Sequence, residues 1–131
     1  QVVGSNAPVV YHCDSQKYAA MIYLNPDAPA DSGTRLLRHK NTKQTFLSEE
    51  SAKFQGKSYA ELNREMFPNG YYDGSQYEEL ARVSGQFNHL CLFTAQHIHA
   101  AVPYSGPVVE VVDGYLSNLD KGRLTWLFFF N

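Results

Sequence analysis

Residues 89–102 read HLCLFTAQHIHAAV, two runs rich in aliphatic, aromatic and β-branched residues on either side of Ala95-Gln96. Each run is too short for a typical helix, and together they predict two strands, at 89–94 and 97–102. Downstream, residues 123–130 (RLTWLFFF) predict a third. The intervening stretch at 103–121 holds Pro103, Gly106, Pro107 and Gly114 and reads as a long loop of the kind that is usually functional or mobile. Upstream, residues 8–14 (PVVYHCD) read as a strand ending in polar residues, and 18–24 (YAAMIYL) as one apolar on both faces. Asn25-Pro26-Asp27, Pro29 and Asp31-Ser32-Gly33 break the chain before a more polar strand at 34–39.

Residues 42–83 change character and predict a helical insertion. Ser58-Tyr59-Ala60-Glu61 is a capping box, in which the hydroxyl and the carboxylate each satisfy a free N–H of the first turn. Leu62 and Met66 follow at helical spacing, and Pro68-Asn69-Gly70 stops the helix. Ser75-Gln76-Tyr77-Glu78 repeats the pattern and predicts a second short helix ending near Arg82. Strands on both sides of a helical insertion fit an all-β, double-sheet jelly roll (a double-stranded β-helix) in one domain over residues 1–131, better than a parallel α/β fold. No internal repeat or low-complexity tract interrupts this order.

The bulk numbers are compatible with that reading. A chain of 131 residues is long enough for one core without a disulfide or structural metal, and 9 Tyr, 8 Phe and 1 Trp favour β structure. The net charge of −2, with both signs mixed along the chain, offers no electrostatic footprint for nucleic acid or an anionic membrane. The longest apolar run, at 124–130, is far shorter than the ~20 residues of a membrane helix. Cys13 and Cys91 do not form a secreted disulfide pattern, so both are expected reduced and the protein cytoplasmic. No signal-peptide pattern opens the chain, and its start at Gln1 rather than methionine leaves room for residues upstream.

The chemistry concentrates in three places. In His12-Cys13-Asp14, residues two apart share one side of an extended chain, so the imidazole and the carboxylate can converge while Cys13 points away. His99, on a later strand, would complete a two-histidine, one-carboxylate facial triad that leaves positions open on non-haem Fe(II). Arg123 and Thr125, beginning 24 positions after His99, again share one strand face. Each signal alone has a plain reading: His12 as a surface histidine, Asp14 as a turn cap, Arg123 as a solvated charge.

Their order carries the case. The sequence resembles the 2-oxoglutarate/Fe(II)-dependent oxygenases, particularly the prolyl-hydroxylase-like branch and its uncharacterised bacterial relatives, over nearly the whole chain from Tyr11 to Asn131. His12-x-Asp14 is similar to the family's H-x-D. Residues 18–25 (YAAMIYLN) resemble the next strand, whose cosubstrate-binding tyrosine falls on Tyr23, and Ser32-Gly33 takes the place of paired glycines. Residues 87–100 (FNHLCLFTAQHIHA) resemble the strand pair bearing the distal histidine, His99. Arg123-x-Thr125 resembles the R-x-S/T signature that holds the far carboxylate of 2-oxoglutarate. The resemblance implies Fe(II) on His12, Asp14 and His99, 2-oxoglutarate held by Tyr23, Arg123 and Thr125, and consumption of O2 to hydroxylate a small-molecule or peptide substrate, with release of succinate and CO2. Asp14 argues against halogenation, since that branch replaces the carboxylate to admit halide. The step from His99 to Arg123 exceeds the roughly ten residues usual in the superfamily and implies an added loop, and the strands and helices that normally precede H-x-D are barely represented.

Other readings compete. His97-Ile98-His99 could be a cupin metal pair, but the glutamate this needs four or five residues on is absent, Pro103 and Tyr104 standing there. His97 is then expected beside the ligands or facing substrate. A zinc site from Cys13, Cys91, His89 and His97 lacks C-x-x-C spacing. His39, between Arg38 and Lys40, reads as part of a solvated face. A non-catalytic jelly-roll binding module would keep the fold and lose the metal. Tyr71-Tyr72-Asp73 reads as a packed loop or a substrate lid, and 42–83 with 103–121 as walls of the substrate entrance.

Overall fold

The computed structural model describes residues 2–3, 8–102, 111–112, 115–116 and 123–131. Strands β1 (Val2–Val3), β2 (Tyr18–Tyr23) and β3 (Gly33–His39) precede helices α1 (Glu49–Phe54) and α2 (Tyr59–Met66). A single 3-10 turn at Gly74–Gln76 leads into β4 (Tyr77–Ser84), followed by β5 (Leu90–Thr94), β6 (His99–Val102), β7 (Val111–Val112), β8 (Tyr115–Leu116) and β9 (Arg123–Phe130).

All pairings are antiparallel and sort the strands into a four-stranded sheet, β1-β9-β2-β5, a three-stranded sheet, β4-β3-β6, and a β7-β8 pair. Strand alternation explains how the layers stack. Ala19, Met21 and Tyr23 of β2 and Cys91 and Phe93 of β5 cluster with Leu36 of β3, Val83 of β4 and Leu127 of β9, so the two sheets face each other across one core. The Tyr23 hydroxyl and Thr34 Oγ1, 2.8 Å apart, join the sheets by a hydrogen bond within it. On the other face of the three-stranded sheet, Leu37, Tyr77, Ile98 and Ala100 pack under Ala52, Leu62, Met66 and Phe67, where the helices form a third layer. Gly33 opens β3 with φ of 129°, and a side chain there would run into the Val83 carbonyl oxygen. The structure is thus mostly antiparallel β-sheet with two short helices, and no helix among the described residues is long and apolar enough to cross a membrane.

Two expectations need correction. The helical insertion at 42–83 is helical only in α1, α2 and the 3-10 turn at Gly74–Gln76; the end of the interval holds β4, which pairs with β3 along its length. Glu78, read from sequence as a cap, instead accepts from Arg38 Nε at 2.8 Å across the two strands. Residues 8–14 form no regular strand. They run along the rim of the sheet and are tied in at one bridge, His12 to His99. Most of the 103–121 loop lies outside the described residues, which show within it only the β7-β8 pair.

Candidate metal centre

That single bridge brings the two histidines together. The backbone N–H groups of His12 and His99 each donate to the other's carbonyl, at 3.1 and 2.9 Å. The Asp14 N–H donates to the Ala95 carbonyl at 2.9 Å, which fixes the far end of the H-x-D segment. Cys13, between them, packs against the helix-side core, and burial pushes its thiol up to about 12.

The side chains of His12, Asp14 and His99 converge so that one ligand atom from each lies within 4.8 Å of the others. His99 Nε2 is 3.3 Å from Asp14 Oδ2 and His12 Nε2 is 3.6 Å from Asp14 Oδ1. The far nitrogens define the tautomers. His99 Nδ1 donates to the His97 carbonyl at 2.8 Å, and His12 Nδ1 donates to the Val10 carbonyl at 3.2 Å. A carbonyl can only accept, so each Nδ1 carries the hydrogen and, in the neutral ring, each Nε2 presents a lone pair toward the carboxylate. Burial, and then the neighbouring His99, lower the pKa of His12 and favour its neutral form. Two lone pairs and an anion facing one point call for a cation, and backbone carbonyls orienting metal-bound imidazoles are a common supporting arrangement. Bonds of about 2.1 Å require the ligand atoms somewhat closer than 4.8 Å. His12, the more exposed of the two histidines, has room to supply that adjustment.

The remaining predicted residues line the space between the sheets. Tyr23 stands opposite Thr125 in register, and both are buried. Arg123 is only 6 % exposed; its Nη2 lies 3.6 Å from Met21 Sδ, its guanidinium carbon 5.6 Å from the Tyr23 ring centre, and its Nε has no hydrogen-bond partner. No carboxylate pairs with it among the described residues. Burial lowers its pKa, which reports the cost of holding the charge there. Burial also raises the pKa of the Tyr23 hydroxyl and keeps it protonated. Phe93 links the two halves of the site: it belongs to the cluster containing Met21 and Tyr23, and its ring meets His99 edge-on at 4.9 Å.

The other histidines stand apart. His97 contributes its carbonyl to His99 while its ring packs on Phe46 at 4.7 Å. His39 is buried against Tyr77, with Nδ1 satisfied by Thr42, and is not part of a solvated face. Sequence reasoning missed Met21 and Thr34, whose roles rest on pairing between sheets that no local pattern displays. A groove of about 210 Å³ borders the His12-Asp14-His99 cluster, lined by Val10, His12 and Cys13 on one side and by Tyr59, Asn63, Phe67 and Tyr71 of the helical segment on another.

Fold and site together define a mostly β protein with a two-histidine, one-carboxylate cluster at the rim between two sheets. The chain belongs to a family of unknown function (DUF6445), whose pattern matches residues 5–130. No curated protein and no solved structure matches it.

Proposed function

We propose that this protein is a non-haem Fe(II), 2-oxoglutarate-dependent dioxygenase on a double-stranded β-helix, hydroxylating a substrate with release of succinate and CO2. The observation that carries the reading is a buried guanidinium that no carboxylate among the described residues pairs with, joined through Phe93 and its core cluster to a His-Asp-His group. An unpaired buried charge costs several kcal/mol, and a carboxylate arriving with a ligand would relieve it.

His12, Asp14 and His99 would hold the metal, with Asp14 cancelling one of its two charges and coordination positions left open for a chelating cosubstrate and O2. Bound there, iron would supply the means to couple cosubstrate decarboxylation to oxidation of a C–H bond. Arg123 presents a planar fork suited to two carboxylate oxygens, while Thr125 and Tyr23 add neutral hydroxyls beside it. Met21, Phe93 and Cys91 form an apolar surround that would keep water from this pair. The Nδ1 bonds of both histidines would hold Nε2 toward an ion bound there.

Anaerobic titration of Fe(II) and then 2-oxoglutarate, followed by a succinate assay on exposure to air, tests the reading. One equivalent of each should bind, and succinate should form. Metal binding without 2-oxoglutarate binding would instead indicate a cupin-type metal protein, and binding of neither a non-catalytic module.

A further inference from the structure

The outer face of β5, β2 and β9 in the four-stranded sheet is largely apolar. Its outward residues form three rows across β5, β2 and β9: Leu90, Ile22 and Trp126; Leu92, Ala20 and Phe128; Thr94, Tyr18 and Phe130. The inward neighbours Cys91, Phe93, Met21, Thr125 and Arg123 are buried, while Phe129, on the inward side near the end of β9, is half exposed and Ala20, at the centre of the outward side, is buried. Outward, Leu90 is 63 % exposed, Leu92 60 %, Trp126 59 %, Phe130 44 % and Phe128 38 %. The rings are already ordered against one another, with Trp126 and Phe128 centred 5.1 Å apart and Tyr18 stacked on Phe130 at 5.6 Å.

We infer that this face is the interface of a homodimer, covered by the same face of a second copy. Two observations favour that occupant. The first is area. With about 150–250 Å² per aromatic residue, the five exposures leave on the order of 500 Å² uncovered. That is already at the upper end of the ~300–600 Å² patches of ordinary monomers. The half-buried Tyr18 and Ile22 extend it toward the ~800 Å² each partner contributes to a standard interface.

The second is charge. None of the nine residues in the rows is acidic or basic, so a two-fold axis through Ala20 would bring no like charges together, as such a dimer requires. A partner of marked charge would find no counter-charge there. Lys17, its Nζ over the Tyr18 ring, and Asn131, which accepts from the Lys17 N–H, supply a polar margin at one end. Antiparallel sheets packed face to face at a small angle are a standard way of burying such surfaces.

Sedimentation analysis of the chain across a range of concentrations, with Trp126 emission followed in the same samples, tests this. Trp126 is the only tryptophan. Wild type should dimerise as concentration rises, with emission shifting to the blue and protection from iodide quenching following the dimer fraction. L92E and W126E should each weaken dimerisation roughly hundredfold or more, each charge entering the interface twice, while far-ultraviolet dichroism stays that of the folded chain. L92K serves as a second variant if L92E fails to fold. A chain that stays monomeric throughout overturns the inference, including one whose Trp126 is shielded by another part of the polypeptide. A dimer in which Trp126 stays water-exposed, or one that folded charge variants form equally well, also overturns it.

Discussion

At Arg123 the guanidinium is buried against Met21 and Tyr23 with Nε unsatisfied, so its removal has opposite consequences in the free and the bound protein. Without cosubstrate, Arg123→Met exchanges a buried charge that has no carboxylate partner among the described residues for an apolar chain of similar length and should stabilise the fold, by about 1–4 kcal/mol, as read by urea midpoints. With 2-oxoglutarate, Arg123→Ala should lower affinity about a hundredfold or more, since leaving a buried carboxylate unpaired costs roughly 3–5 kcal/mol. Arg123→Lys should recover part of the loss, keeping the charge without the fork. Thr125→Val and Tyr23→Phe should cost less, about 1–2 kcal/mol each. Calorimetric titration into Mn(II)-loaded, folded variants measures all four, and unchanged affinity in Arg123→Ala would remove the cosubstrate assignment. The histidines separate in the same way. His99→Ala should abolish tight metal binding, whereas His97→Ala should leave it nearly intact, because only the His97 carbonyl touches the cluster. The reverse ranking would show that the wrong histidine has been assigned.

At the scale of elements, Ser58 and Glu61 close the capping box of α2, with the Ser58 N–H donating to Glu61 at 2.8 Å and the Glu61 N–H to the Ser58 hydroxyl at 3.3 Å. Ser58→Ala should therefore cost about 1 kcal/mol of stability, while metal affinity, set by residues on other elements, stays constant. A loss of metal affinity would mean that α2 positions the centre as well as covering the core. The same four-residue pattern at Ser75–Glu78 misled. There Tyr77 is buried and donates to the Met66 carbonyl at 2.7 Å, and Glu78 is engaged by Arg38 and Lys43, so long-range pairing with β3 outweighs a local cap. α1 begins on a box built from Ser48 and Ser51, which carries no glutamate to announce it. Five of the strands were legible because each carries its own alternation or apolar run. Residues 8–14 were over-read, since their order comes from isolated bonds to Tyr71 and Ala95 and a bonded pair with His99, all far along the chain. The H-x-D convergence was legible from period two alone. What sequence could not display was which far carbonyl orients each imidazole, or that Met21 meets Arg123.

For the molecule as a whole, the histidines make stability depend on pH. His12, His39 and His97 all have pKa values below their usual 6.5, in each case first because burial disfavours the charged ring. A histidine whose pKa is lowered by folding takes up its proton more readily unfolded, so below about 6.5 the unfolded state binds more protons and stability falls as pH falls. The contribution is fully present above the unfolded value and is lost on acidification toward the folded values. Glu61, Glu78 and Glu79 are held below 4.5, and Asp73, held by Ser75 and Asn69, lies at about 2. Loss between about pH 6.5 and 5.5 should therefore come from the histidines rather than from these carboxylates. In chelator-treated protein the urea midpoint should be level near pH 7.5 and decline through that window, with a shallower decline in His39→Gln. Metal should add stability on top, about 2.7 kcal/mol when its free concentration is a hundred times the dissociation constant. Protons compete with a metal for imidazole ligands, so this increment should shrink on acidification. A metal increment independent of pH would mean that the bound ion does not sit on imidazole nitrogens, and the ligand set would have to be sought elsewhere in the chain.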